Sequence, residues 1–561
     1  MTRAPRNDCI RPPIHPLPGR RGHARAGGVP GALAALAALA ALIIACAPPA
    51  PAAAAAPPPA AFPGTPSEEA LPGMATVTLP SSGSPLVAIR LRFDAGSIDD
   101  PAGKEGLAAL TALMIGDAGS AKRSYSQLLD ALYPLAASFG HNTDREVTEL
   151  TGTVHRDALD AFTALLEEAL LSPGFAESDF QRNREQLLSY LTNVLRSGSD
   201  ELLGLEAIQD AIFAGHPYGH PPAGTVSGLA SITLDDVRRF YTEHYTRARL
   251  TIGLAGGYPE AYLARLERDL AALGAQPGRD PASPDQTAAP SAQPGRPPLP
   301  PPPPLAGRRF TLIEKETGSV GIHFGFPLPV NRSSPDYYPL MVANSALGEH
   351  RTFTGRLMSE LRQSRGLNYG DYSYIEYWAN PPGTTHPTPG VPRRQQYFSV
   401  WIRPVVPGDA QFALRAALYQ VQRLTEEGLA EKEFAATRDF LLNYTKLWAQ
   451  DLQSRLGFLI DSRFYGTPYV IDEIDAQLRK LTLAEVNQAI KKYLAPGAFA
   501  AVLVTAKAAE LRELLQKDAP SPKKYNAQVA PAVLEADRTI ESLPLRPTAI
   551  EIVPAVRMFE K

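Results

Sequence analysis

Two nonapeptides, 249 residues apart, constrain this chain more than any other feature. Leu229-Ala230-Ser231-Ile232-Thr233-Leu234-Asp235-Asp236-Val237 is matched by Leu478-Arg479-Lys480-Leu481-Thr482-Leu483-Ala484-Glu485-Val486. A Gly-x-Pro-Tyr turn precedes each copy, at 215–218 and 466–469, and an apolar strand follows each, at 250–254 and 499–504. Thr233 with Asp236 and Thr482 with Glu485 are capping boxes, in which side chain and backbone satisfy each other's free groups at a helix start. One capping box is common. Turn, capped helix and strand recurring in the same order predict two homologous α+β domains, each a mainly antiparallel sheet packed with helices.

The remaining sequence divides around these copies. With 561 residues and 44% apolar content the chain has enough material for more than one core. A net charge of -3 gives no sign of nucleic-acid binding. Residues 1–46 read as an export signal, with Arg20, Arg21 and Arg25 ahead of an apolar run that ends at Cys46. That run is too short and too rich in Ala for a membrane span. Residues 47–74, Ala- and Pro-rich, read as a disordered tether. The first domain is expected at 75–276, a semi-rigid Pro-rich linker at 277–307, the second domain at 308–520 and a poorly periodic tail at 521–561. The stretch 548–553 of that tail is suited to adding an edge strand to a partner. Cys9 lies in the leader and Cys46 at its end, so the mature protein is expected to hold no disulfide.

One stretch invites a chemical reading. In Leu361-Arg362-Gln363-Ser364-Arg365-Gly366-Leu367-Asn368-Tyr369-Gly370, an amphipathic helix carrying Phe353, Leu357, Met358 and Leu361 is expected to end at Gly366. Arg362 then sits in a last helical turn, and Tyr369 opens a β-rich run. A guanidinium and a phenol placed this way can both hydrogen-bond a peptide carbonyl, or the oxyanion it becomes during hydrolysis. An Arg in an ordinary salt bridge beside a half-buried Tyr has the same spacing. Elsewhere the chain offers no Ser/His/Asp context, no free Cys after the leader and no phosphate-binding Gly loop. His216 and His220 are spaced like a metal pair, but Pro217 and Pro221 place them in a loop.

Taken together these residues resemble the insulinase/pitrilysin family of zinc peptidases, the inverted zincins. The resemblance runs from about 75 to 515. It is carried by Gly96 with Asp99-Asp100-Pro101-Ala102-Gly103-Lys104-Glu105-Gly106-Leu107-Ala108, by Gly215-His216-Pro217-Tyr218-Gly219, and by Leu347-Gly348, Arg356-Leu357 and Leu361-Arg362 through Tyr369. An active member of that family carries His-x-x-Glu-His after Gly-Leu-Ala, two zinc ligands and a general base. Here Ala109, Leu110, Thr111, Ala112 and Leu113 fill those places, and Tyr190 stands where the third ligand, a Glu, is expected. Glu185, the nearest acid, makes no site without the two histidines. The chain is therefore expected to bind no metal of its own and to have no catalytic residue acting alone.

The resemblance also supplies roles. It implies that Arg362 and Tyr369 hold substrate and stabilise the tetrahedral intermediate at a zinc site in the other half of a clam-shell. It implies that the segment containing Asn142 and Thr143 is an edge strand able to pair with substrate backbone, though a plain sheet edge fits equally. A two-domain chain with the Arg/Tyr pair and no zinc site is similar to one half of a split enzyme. The expected partner is a homologous subunit carrying His-x-x-Glu-His and the zinc, and the expected substrates are peptides. Ile43-Ile44-Ala45-Cys46 resembles a bacterial lipobox, which would acylate Cys46 and anchor the protein to a membrane in the periplasm; cleavage in the Ala-rich stretch beyond it is the competing outcome. The alternative function is a non-proteolytic scaffold or peptide-binding lipoprotein on the same fold.

Overall fold

The structure, a computed structural model, describes residues 74–274, 298–379, 384–494 and 496–561. The export signal, Cys46, the tether up to 73 and the linker up to 297 lie outside the described residues. Five strands of the first half, β1 (Ala75–Pro80), β2 (Leu86–Phe93), β3 (Phe139–Thr143), β4 (Thr148–His155) and β5 (Leu250–Gly256), form a sheet in the order β1-β5-β2-β4-β3. The second half supplies β6 (Arg308–Glu314), β7 (Val320–Leu328), β8 (Asp371–Tyr374), β9 (Gln396–Val405), β10 (Phe499–Thr505) and β11 (Pro547–Pro554), in the order β11-β6-β10-β7-β9-β8. Without β11 the two orders are the same permutation. Each sheet also has one parallel pair at the same place, β1 with β5 and β6 with β10, and is otherwise antiparallel within that permutation. The duplication read from the nonapeptides is thus a duplication of topology.

Both capping boxes form. Thr233 accepts from the Asp236 amide at 3.2 Å and Thr482 from the Glu485 amide at 3.3 Å. The stretch 177–214, whose sequence reads as one long helical run, is three pieces: a helix Glu177–Ser189, a π-helical turn Tyr190–Gly198 and a helix Asp200–Ile212. Ser199 divides them, because its side chain accepts from the Leu202 amide and starts a new helix.

The halves exchange helices. The helix Asp200–Ile212 precedes the first Gly-x-Pro-Tyr turn yet packs on β7 and β10 of the second sheet. Its counterpart Leu452–Tyr465, ahead of the second such turn, packs on β1, β2 and β5 of the first sheet. Glycine permits both approaches: a Cβ on Gly204 would lie 2.4 Å from the His323 ring, and one on Gly253 would lie 2.5 Å from Ile460 Cδ1. Leu456 and Ile460 bury against Ala88 and Ala255, while Ala500, Val502 and Val504 of β10 join the first half's core. Neither core closes with its own half alone.

Two sequence-based boundaries need correction. The tail is ordered: a helix Pro531–Glu541 leads to β11, which pairs in parallel with β6 of its own sheet rather than with a partner. Beyond it, Ala555, Met558 and Phe559 are buried in the first half's core, the Val226 amide donates to the Phe559 carbonyl at 3.0 Å and Arg196 Nε to the Met558 carbonyl at 2.6 Å. The end of the linker is docked as well, with Leu299 and Leu305 against apolar cores and His216 Nε2 2.9 Å from the Pro300 carbonyl. Proline content hid both, since an extended strip can still bury one face.

Two histidines in the second half make stability sensitive to acid. His323, stacked on Trp401 with ring centroids 5.9 Å apart, is pushed down to about 3 by burial, and so is His350. In the unfolded chain both regain an ordinary value near 6.5. Below that value the unfolded state takes protons that the folded state refuses, so stability is lost as pH falls from about 6.5 towards 3. Each histidine accounts for about 2 kcal/mol between pH 6.5 and 5. The urea midpoint should fall over that range, and more steeply in the wild type than in His323→Gln; equal slopes would remove His323 from this role.

Candidate functional site

The helix Leu107–Gly116 starts at Gly106, whose φ of 105° favours glycine. Asp100 accepts from the amides of Gly106 and Ala108, both at 2.7 Å, and so satisfies donors at the helix start. Four residues apart on this helix, Ala109 and Leu113 line a cleft of about 380 Å³. Tyr190, at the head of the π-helical turn, lines it too, with Gln186 and Leu187 ahead of it. Asn142 and Thr143 of β3 contribute a wall, and β3 is the outermost strand of its sheet. Positions read from the sequence as former metal sites and as an edge strand are therefore neighbours. Ala112 is fully buried in the core instead, and Glu185 is exposed away from the cleft lining.

The side chains at Ala109, Leu113 and Tyr190 offer zinc no good ligand. A methyl and an isobutyl group carry no lone pair. The Tyr190 phenol is pushed up to about 12 by burial and by the charge of Glu206, so it stays protonated at neutral pH and is a poor metal ligand. Among the described residues no group of three His, Cys, Asp or Glu side chains is arranged to take a metal ion. His216 and His220, spaced alike in sequence, go separate ways: His220 Nε2 lies 3.3 Å from Asp100, and His216 faces Pro300.

Arg362 and Tyr369 stand apart from this cleft. The helix that carries Arg362 ends in a π-helical turn, Met358–Gln363, and Gly366 follows with φ 61°, its amide donating to the Arg362 carbonyl at 2.9 Å. The terminating glycine is as expected from the sequence; the start is not. Phe353 lies outside the helix and 67% exposed, with its ring 5.0 Å from the Arg362 guanidinium carbon, instead of in the core with Leu357 and Leu361. Tyr369 is 80% exposed. The two side chains share no hydrogen bond or cation–π contact among the described residues, and Arg362 has no carboxylate within ion-pair distance there.

Sequence reasoning missed the charges that hold the cleft's wall to the second half. Arg393, fully buried, reaches both oxygens of Asp144 at 2.8 and 2.7 Å and Gln209 Oε1 at 2.7 Å, with its guanidinium carbon 3.4 Å from the centre of the Tyr377 ring. Arg394 pairs with Glu146 at 3.0 Å. Asp144 and Glu146 lie in the turn between β3 and β4, so this clamp fixes the edge strand against the other half. Behind it, Arg92 bridges Glu149 to Asp461. Burial alone would raise the Glu149 carboxyl, but Arg90 and Arg92 outweigh it and hold the group below the usual range. The partners are separated by 249 residues for Arg393 and 369 for Arg92. No local pattern announces such pairs.

Known proteins match this arrangement. The profile described as insulinase, peptidase family M16, matches residues 76–226, and that of the peptidase M16 inactive domain matches 231–441; together they cover more than half of the chain. An uncharacterized zinc protease of Mycobacterium tuberculosis is 24% identical over 382 residues, 68% of this chain and 80% of its own. A protein of Helicobacter pylori named non-peptidase homolog YmxG is 23% identical over 412 residues, 73% of this chain and 86% of its own. Among solved structures, a peptidase M16 inactive domain from Pseudomonas fluorescens superposes with a TM-score of 0.65 at 20% identity, covering 78% of this chain and 96% of that one. The chain belongs to the insulinase family, peptidase family M16, as an inactive homologue.

Proposed function

We propose that this chain is the non-catalytic subunit of a heterodimeric, zinc-dependent peptidase, exported to the periplasm and anchored there through Cys46. The contrast between its two sites carries this reading. The cleft beside β3 persists although its former metal positions are Ala109, Leu113 and Tyr190, whereas Tyr369 is presented to solvent and Arg362 is left without a carboxylate partner among the described residues. In this reading a homologous subunit brings His-x-x-Glu-His and the metal. The free edge of β3, with Asn142 and Thr143, holds extended peptide by backbone pairing. Arg362 and Tyr369 donate hydrogen bonds to the oxyanion formed at the partner's site.

The test captures the protein from native membranes and assays the eluate for chelator-sensitive peptide cleavage, beside the purified chain alone and a capture carrying Arg362→Ala with Tyr369→Phe. Activity is expected in the native capture and not in the lone chain. The double variant is expected to lose on the order of 10² to 10³ in turnover. An inactive capture without a zinc-bearing partner would favour the non-proteolytic scaffold, and zinc-dependent cleavage by the lone chain would sink both readings.

A further inference from the structure

The turn that presents Tyr369 is held by the side chain just before it. Asn368 Nδ2 donates to Asp371 Oδ1 at 2.7 Å and to the Arg403 carbonyl at 2.9 Å, while Asn368 Oδ1 accepts from the Gly370 amide at 3.2 Å. The Arg403 amide in turn donates to the Gly370 carbonyl at 3.2 Å. One amide therefore ties the backbone on both sides of Tyr369 to β9. Arg403 is itself rooted across the halves, with Nε donating to Glu201 at 2.8 Å on the exchanged helix.

Which way the Asn368 amide points is decided by Asp371. That carboxyl is fully buried, and its second oxygen has no hydrogen-bond partner among the described residues. Ionised, that group is acceptor-only, as the Arg403 carbonyl always is, and together they fix the nitrogen of Asn368 towards themselves and leave the oxygen for Gly370. Burial pushes Asp371 up to about 7, against the hydrogen bond from Asn368 and the charges of Arg362 and Arg403. Asp371 protonated still accepts from Asn368 through Oδ1, so the wild-type clamp survives either state.

We propose that Asn368 is the positioning residue for Tyr369: its side-chain amide, oriented by buried Asp371, clamps the turn so that the phenol is held outward over the rim of the second half. The functional meaning rests on the reading of Tyr369 as a donor to a partner's site. The clamp itself does not, and it can be measured in the lone chain.

The experiment follows backbone amide exchange of the 366–373 segment in the full-length protein by mass spectrometry, corrected for the intrinsic effect of pH. Asn368→Ala should speed exchange about tenfold, the loss expected for one to two hydrogen bonds. Asn368→Asp is the decisive variant, because it keeps the acceptor for Gly370 but cannot donate to Asp371 while both carboxylates are ionised. At pH 8 it should exchange about tenfold faster than wild type. At pH 5.5 the adjacent carboxyls share a proton, which restores the bridge to Asp371 though not the bond to the Arg403 carbonyl, so the excess over wild type should shrink from about tenfold to about threefold.

Exchange within about twofold of wild type in Asn368→Ala, or an Asn368→Asp effect equal at both pH values, overturns the proposal. Should Asn368→Ala lose its cooperative urea transition, the pH response of Asn368→Asp alone decides. In the native capture, Asn368→Ala should lower kcat about tenfold at unchanged KM. A capture without peptidase activity removes the role of Tyr369 as donor and leaves exchange to decide the clamp.

Discussion

Expressed alone, residues 74–274 are expected to show no cooperative urea transition, and residues 298–561 none either, whereas the two mixed together recover one. The reason lies in the exchanged helices. Without the second half, the first loses Leu456 and Ile460 from one face of its sheet, and Met558 and Phe559 from its core. Burying each such side chain contributes about 1.5–3 kcal/mol. Four of them amount to about 6–12 kcal/mol, against a total stability of about 5–15 kcal/mol for an ordinary domain. The second half loses the helix Asp200–Ile212 from over β7 and β10 in the same way. Circular dichroism against urea on each piece and on the mixture is the check. A sharp transition in either piece alone means that the exchanged helices are accessory.

Arg393→Ala should cost about 3–5 kcal/mol, among the largest effects of any single substitution in this chain. Arg393 is fully buried, and its removal strands the Asp144 carboxylate, itself 3% exposed, and leaves Gln209 without its donor. Stranding a buried charge is worse than removing a pair. Asp144→Asn in the Arg393→Ala background should therefore recover more than half of the loss, and a double-mutant cycle on urea midpoints measures it. A cost below about 1 kcal/mol for Arg393→Ala would show that water reaches the site and screens it.

The sequence announces some of this and conceals the rest for a physical reason. Capping boxes, Gly-x-Pro-Tyr turns and the glycine after Arg362 act within a few residues, and each is where it was expected. Ala109, Leu113 and Tyr190, read together from their positions in the sequence, line one cleft. Ser199, after Gly198 and before Asp200, was a legible helix start inside what reads as one long helix. Asn368-Tyr369-Gly370 was likewise a local turn signal. By contrast, β11 on β6, the exchanged helices and Arg393 on Asp144 depend on partners hundreds of residues away, where periodicity carries no information. Phe353 fell between these cases: its spacing matched a helical stripe, but the chain enters the helix only after Gly355, so the ring meets Arg362 instead of the core.

The exchange of helices has a bearing on how such a chain changes over generations. A free-standing domain without chemistry of its own can be deleted. Here it cannot. The segment Asp200–Ile212 is the roof of its sibling's sheet, so every deletion of the inert half unroofs the other. Ala109 and Leu113 face the cleft and take no part in that roof. The first half therefore holds up its sibling whatever its own cleft can bind.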